Sequence, residues 1–343
     1  MTTDSKTTYR AVEARGSRQF TLVEREIREP APGEVRLRAL ACGVCHTDAM
    51  AAEGLREDPS QPIVPGHEIV GVIEVVGAGV RGWQTGERVG VGFLGGHCGA
   101  CQSCRRGDFV NCADQPRTGT SVDGGYAEVV YARASGLVRI PDELSAVEAA
   151  PLLCAGLTTY SALAGLDARP GALVAVQGIG GLGHLGLQYA RALGYRVAAI
   201  ARGTDKAALA AELGAEHYID SRTEDPGEAL QRLGGAAAIV ATASSGASMS
   251  PLITGLAPRG VLLVLGAAGD PIMVNTTDLI FGTRSITGCL TGSSIENEDN
   301  LAFSVRGGIR AMNEVLPLSE APKAYEHMLS GNARFRVVLD LTA

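Results

Sequence analysis

The sequence predicts an α/β protein in two parts: a β-rich first part and, from about Ala172, a doubly wound parallel sheet, with the C-terminal segment returning to the first part. Three observations carry this. In the first part, short apolar or β-branched runs are bounded by glycine. From Ala172 onward apolar strands alternate with helical stretches, which right-handed β-α-β crossovers assemble into a parallel sheet. A glycine-rich turn sits at the first strand-to-helix junction of that second part.

In the first part the runs 35–41, 69–76, 88–92 and 126–131 read as strands. The second part opens with a strand at 172–178, a helix at 182–193, a strand at 195–200 and a helix at 204–213. Strands follow at 217–219, 236–241 and 261–265, and the segment 319–341 reads as a helix and then a strand that returns to the first part. There is no long linker, repeat or low-complexity tract.

A chain of 343 residues that is 45% hydrophobic, with 45 glycines, has enough material for a large core and about two domains. Its apolar runs are too short to cross a bilayer, and the polar residues 1–10 do not resemble a signal peptide. A net charge of −7 and a pI near 5.5 argue against a nucleic-acid partner, since basic runs such as Arg105-Arg106 are too short to track phosphates. The expectation is a cytoplasmic protein acting on a small molecule, its eight cysteines reduced, with neither nucleic acid nor membrane as partner.

Four of those cysteines, Cys98, Cys101, Cys104 and Cys112, fall in C-x2-C-x2-C-x7-C spacing within the loop 95–112. A tight glycine-permitted loop presenting four thiolates suits tetrahedral zinc, and a closed four-sulfur shell leaves no position for substrate, so this zinc is structural. A disulfide within the loop is the alternative.

At the junction, Gly178-Ile179-Gly180-Gly181-Leu182-Gly183 fits G-x-G-x-x-G, in which glycines bring backbone N–H groups close to a pyrophosphate at a helix N-terminus. About 20 residues further on, an acidic residue would grip the ribose 2′-hydroxyl of NAD. This chain instead reads Ile200-Ala201-Arg202-Gly203-Thr204-Asp205-Lys206. Arg202 with Lys206 suits a 2′-phosphate, which favours NADP(H) over NAD(H); the alternative is that Arg202 is a solvated residue flanking a helix.

A second constellation lies in the β-rich part: Cys45-His46-Thr47-Asp48, then Gly66-His67-Glu68, and far downstream Cys154. Cysteine, histidine and cysteine from separated elements form a three-ligand zinc site with an open fourth position, unless His67 and Cys154 are simply core residues. The string Cys42-Gly43-Val44-Cys45-His46 also matches a haem c attachment, which an unexported chain with a dinucleotide fold argues against.

Four motifs in this order resemble the zinc-dependent medium-chain alcohol dehydrogenases over essentially the whole chain, nearest in pattern to the cinnamyl-alcohol and bacterial alcohol dehydrogenase branch. They are Gly66-His67-Glu68 with Gly71 and Gly77, the segment Gly43 to Asp48, the four-cysteine lobe and Cys154. The resemblance implies a GroES-like catalytic domain at 1–154 and 294–343 and a Rossmann cofactor domain at 155–293. It makes Cys45, His67 and Cys154 the ligands of a catalytic zinc, with Asp48 and Glu68 behind them, and Thr47 the hydrogen-bond partner of the substrate oxygen. His46 would approach the cofactor pyrophosphate, Thr158 the nicotinamide and Arg336 the phosphates, while Met50 and Leu94 would line the substrate pocket. Relatives are dimers or tetramers, and 285–290 with Cys289 is the candidate seam.

The chemistry implied is interconversion of an alcohol with an aldehyde or ketone, zinc acting as Lewis acid while NADP(H) exchanges hydride, in the reductive direction. One position departs from the pattern. Many relatives carry a proton-relaying histidine where this chain has Met50, so Thr47 would pass its proton to a cofactor ribose hydroxyl or water. Two other readings stand beside this one: NADPH-dependent reduction of an activated C=C bond on the same scaffold, and a non-catalytic dinucleotide-binding module.

Overall fold

The structure is a computed structural model that describes residues 7–56 and 58–343. Residues 1–6, part of the polar N-terminus on which the signal-peptide reading rests, lie outside the described residues. The chain divides into two compact units, Met1–Cys154 with Gly292–Ala343, and Ala155–Thr291. Among the described residues no single helix is long and apolar enough to cross a membrane.

The first unit begins with an antiparallel pair, β1 (Thr8–Ala14) and β2 (Phe20–Glu26). Its larger sheet is centred on β3 (Glu34–Val44), with β4 (Glu68–Val76), β5 (Arg88–Val91), β6 (Val129–Arg133) and β7 (Leu137–Arg139). Period-two alternation explains β3: Val35, Leu37 and Ala39 point into the core, and the strand becomes wholly buried from Ala41 to Val44. The antiparallel register sets Gly43 opposite Glu68, which brings the residues just beyond β3 beside those just before β4.

The sequence reading of a strand at 126–131 is corrected to β6, three residues later. Tyr126 instead donates its N–H to Pro65 O (2.9 Å), and its own carbonyl accepts from Val12 N (2.8 Å). Gly124 forces this geometry, because a Cβ there would overlap the Pro65 and Gly66 carbonyls.

In the second unit β8 (Leu173–Gln177), β9 (Arg196–Ala201), β10 (His217–Asp220), β11 (Ala236–Ala241), β12 (Leu256–Val264) and β13 (Ser285–Gly288) form one parallel sheet. Its spatial order, β10-β9-β8-β11-β12-β13, is 3-2-1-4-5-6 in the unit's own count, so the order reverses between β8 and β11. Helices Gly183–Ala192, Ala207–Glu212 and Pro226–Arg232 connect successive strands. β12 starts five residues before the apolar run at 261 because Pro258-Arg259-Gly260, with Arg259 at φ +62°, interrupts the pattern without ending the strand.

The chain re-enters the first unit through a helix at Ser294–Gly307, which the sequence reading missed although Ser293 and Glu296 cap each other reciprocally at its start. Then come β14 (Asn313–Pro317), a helix at Ala321–Leu329 and β15 (Arg336–Asp340). β15 runs antiparallel to β3 with Val337 opposite Val44, so Arg336 enters the neighbourhood of Cys45.

Candidate active site and metal centres

Cys45, His67, Glu68 and Cys154 converge inside the first unit, with one ligand atom from each lying within 4.8 Å of the others. Cys45 follows β3 and caps the turn His46–Asp48, where Asp48 Oδ2 accepts its N–H at 2.9 Å. His67 immediately precedes β4 and is fully buried. Cys154 sits where the 3-10 turn Ala150–Leu153 ends, at φ −127° and ψ −71°.

Asp48 organises one side of the cluster. Its Oδ1 faces His67 Nδ1 at 3.0 Å, and its Oδ2 accepts from Tyr126 Oη at 2.9 Å. The Nδ1–Oδ1 approach is an ion-pair contact only, and both His67 ring nitrogens are buried without a hydrogen-bond partner. A buried ring nitrogen without a partner, beside two thiols, is a donor set in want of a cation. The thiols show the same strain: a hydrogen bond from Cys154 holds the Cys45 thiol well below its ordinary range against the effect of burial, and the same bond, with burial, pushes Cys154 well up. Zinc would resolve this by taking both sulfurs as thiolates, so the residues fit the metal.

Glu68 and Arg336 form the other side. Burial pushes the Glu68 carboxyl up to about 7, although the Arg336 guanidinium beside it pulls the other way. Gly43 is required opposite, because a Cβ there would overlap the Glu68 carboxylate. Arg336, expected at the cofactor phosphates, is 3% exposed, and its guanidinium pairs with the Glu68 carboxylate. The register of β15 against β3 dictates this placement.

Other expected residues take varied positions. Thr47 is half-buried with its Oγ1 3.8 Å from Cys45 Sγ, and His46 is exposed. Met50 and Leu94 are both half-buried, and the Leu94 backbone bridges to Arg117. In the second unit, Thr158 is buried and its hydroxyl donates to Leu290 O at 3.4 Å.

The four-cysteine loop brings the Sγ atoms of Cys98, Cys101, Cys104 and Cys112 within 4.8 Å of one another. All four are free thiols. Backbone N–H groups of Ala100 and Cys101 point at Cys98 Sγ, Cys104 N at Cys101 Sγ and Cys98 N at Cys112 Sγ, at 3.3–3.5 Å. The backbone N–H groups of Ala113 and Cys104 hold the Cys101 thiol down to about 6, whereas burial pushes Cys104 up to about 12. Four sulfurs with oriented amides and no histidine or carboxylate fit a closed zinc shell.

In the second unit the turn Gly178 to Gly183 follows β8 at the point where strand order reverses. Its carbonyls are gripped from the protein side. Thr242 Oγ1 donates to Gln177 O (2.8 Å) and Gly178 O (3.1 Å), Lys206 Nζ to Ile179 O (2.6 Å), and His184 Nδ1 lies 2.9 Å from Gly180 O. A Cβ on Gly183 would overlap Gly178 O, whereas one on Gly180 would meet no protein atom within 4 Å. The space at Gly180 is therefore left for a ligand, and the cradle fits a pyrophosphate. Lys206 thus reaches the glycine turn, while Arg202 at the end of β9 is exposed. Sequence reasoning missed Thr242, Tyr126 and Arg222, whose guanidinium lies 3.2 Å from where a Cβ on Gly203 would stand.

A doubly wound dinucleotide cradle in one unit and a largely buried Cys-His-Cys set in the other define a metal-dependent, dinucleotide-linked oxidoreductase. Residues 31–142 match the family model "Alcohol dehydrogenase GroES-like domain" and residues 181–305 match "Zinc-binding dehydrogenase". The chain is 43% identical over 323 residues to alcohol dehydrogenase notN of Aspergillus sp. (strain MF297-2), covering 94% of each. It is 41% identical over 309 residues to an alcohol dehydrogenase of Geobacillus stearothermophilus, covering 90% of this chain and 92% of that one. The solved cinnamyl alcohol dehydrogenase SbCAD4 of Sorghum bicolor superposes with a TM-score of 0.87 at 32% identity, covering 98% of both chains. The chain belongs to the zinc-dependent medium-chain alcohol dehydrogenase family, with GroES-like and Rossmann-type domains. It is accordingly an oxidoreductase of small-molecule alcohols and carbonyls that uses zinc and a nicotinamide cofactor.

Proposed function

We propose that this chain reduces an aldehyde or ketone to the alcohol with NADPH, using Cys45, His67 and Cys154 as ligands of a catalytic zinc. The observation that carries the NADP(H) preference is the end of β9. Ala201 and Arg202 stand where a ribose-binding carboxylate would be, and the Asp220 carboxylate at the end of β10 is engaged by the N–H groups of Gly203 (2.7 Å) and Arg222 (2.9 Å). Exposed Arg202, with Arg222 near Gly203, would pair with a 2′-phosphate.

When bound, the zinc supplies Lewis-acid polarisation of the substrate oxygen. The chain's own residues do the rest. Asp48 fixes the His67 ring with Nε2 turned to the metal, and the Glu68–Arg336 pair keeps a second carboxylate beside it from adding net charge. Thr47 would hydrogen-bond the substrate oxygen, a role supported by its distance from Cys45 Sγ, and hand the proton to a cofactor ribose hydroxyl or water, because Met50 carries none. Gly178 to Gly183 would seat the pyrophosphate, a group the family resemblance also assigns to His46; Thr158 would serve the nicotinamide, and Met50 and Leu94 would give the pocket apolar walls.

The test is a screen of NADPH and NADH over aldehydes, ketones and α,β-unsaturated carbonyls, with products identified by mass and NMR. Alcohol formed with NADPH, any C=C bond intact, is expected. A strong NADH preference would remove the Arg202 argument, and alkene reduction with the carbonyl retained would replace the alcohol dehydrogenase reading by the C=C reductase one.

We also propose that two copies pair through β13, as the core of a homodimer or homotetramer. All four residues of this terminal strand are exposed, and around it Phe281 (89%), Ile280 (69%) and Leu290 (58%) leave a cluster of large apolar side chains uncovered. Sedimentation should find an oligomer that Ile286→Lys dissociates; a monomeric wild-type chain would rule the pairing out.

A further inference from the structure

The two carbonyls ahead of Cys154 are held by side-chain amides from a segment over 140 residues away in sequence. Asn297 Nδ2 donates to Leu153 O at 3.1 Å, and Asn300 Nδ2 donates to Leu152 O at 2.9 Å and to Asn297 Oδ1 at 3.2 Å. Both asparagines lie on the helix Ser294–Gly307, one turn apart, and both are buried, at 1% and 0% exposure. Asparagine is a poor helix former and an unusual core residue, so its presence here calls for a partner that needs an amide.

That need arises at Cys154. The 3-10 turn Ala150–Leu153 stops there, and its last carbonyls belong to the groups that a helix end leaves without an intrahelical partner. Cys154 departs from helical geometry in ψ and φ, which is how a residue between two helical pieces presents its sulfur sideways to Cys45 and His67. Gly92 packs against the Asn297–Leu153 hydrogen bond: a Cβ there would stand 3.1 Å from Leu153 O and 3.6 Å from Asn297 Nδ2.

We infer that Asn297 and Asn300 are positioning residues for the Cys154 thiolate. They fix the two peptide planes that precede it, and with them the direction in which Sγ enters the Cys45–His67–Cys154 set. A pair of apolar residues at 297 and 300 would fill the volume and leave those planes free to turn. The inference rests on the reading of that set as a metal centre.

The experiment uses the full chain with both centres loaded with zinc. Release to the chelator 4-(2-pyridylazo)resorcinol is followed in wild type, Asn297→Leu and Asn300→Leu, and the visible bands of Co(II) exchanged into the Cys-His-Cys site are recorded. Release from that site is expected to accelerate about 10–100-fold with shifted cobalt bands, the size of effect that outer partners of metal ligands carry, while release from the four-cysteine loop stays unchanged. Ser304→Ala is the control: it removes a hydroxyl that donates to Asn300 O at 2.8 Å on the same buried face, and should lower thermal stability without moving either release rate or the cobalt bands. Should the leucine variants fail to fold, Asn297→Ala and Asn300→Ala carry the same comparison. Lower stability with unchanged release and unchanged cobalt bands would reduce both asparagines to structural residues and overturn the inference. Wild type holding one zinc per chain would overturn the metal-centre reading and the inference together, whereas two zincs with unaffected variants would overturn the inference alone.

Discussion

The Arg336 guanidinium pairs with the Glu68 carboxylate inside the protein, with 3% and 0% of the two side chains exposed. Neither charge has water to return to. Arg336→Met would strand a buried carboxylate beside the Cys45–His67–Cys154 set, and the expected cost is about 3–5 kcal/mol of stability in urea denaturation. Adding Glu68→Gln should recover part of it. An Arg336 variant with wild-type stability and only a raised KM for cofactor would return the residue to the phosphates.

Tyr126 reaches Asp48 from the far side of the His67 ring, its Oη 2.9 Å from Oδ2. Tyr126→Phe takes one donor from a buried carboxylate, which costs about 1.5–3 kcal/mol for a bond to a charged group. Because Asp48 also steers His67, zinc affinity at the Cys-His-Cys site should fall about tenfold, read by chelator competition.

The two proposed metal centres should fail in different ways. Cys154→Ser is expected to lower zinc content from about two to about one per chain and abolish turnover while leaving the unfolding transition intact. Cys104→Ser should lose the other zinc and lower Tm first, with activity falling only as structure is lost. Acidification should release zinc from both, since every ligand sulfur must be deprotonated to bind. Unchanged metal content and turnover in Cys154→Ser would refute the assignment.

Two glycines of one turn should give opposite phenotypes. Gly183→Ala places a Cβ into Gly178 O and should destabilise the second unit, as its melting will report. Gly180→Ala meets no protein atom, so stability should hold while the KM for dinucleotide rises by about tenfold or more, about 1.4 kcal/mol of lost contact. Equal binding by both variants would mean that the pyrophosphate does not lie against Gly180.

Cofactor choice should follow Arg202. Arg202→Asp is expected to raise the KM for NADPH at least about tenfold, the loss of one charge-assisted contact, and to improve use of NADH. The readout is the ratio of kcat/KM for the two cofactors.

What the sequence determined by itself is whatever local spacing encodes. C-x2-C-x2-C-x7-C closes on itself within 15 residues, and the glycine turn between a strand and a helix needs no distant partner to be legible, so both were evident from one-dimensional pattern. The alternation of strands and helices likewise gave the parallel sheet, because crossover handedness leaves few topologies. Tertiary structure decided the rest. Arg336 turned to Glu68 because β15 pairs with β3, Tyr126 left its strand because Gly124 packs on Gly66, and Asn297 and Asn300 gripped the chain ahead of Cys154 from across the unit. Each of these depends on strand register or helix docking between segments far apart in the chain. A buried polar residue announces that it needs a partner, but only the fold says which one.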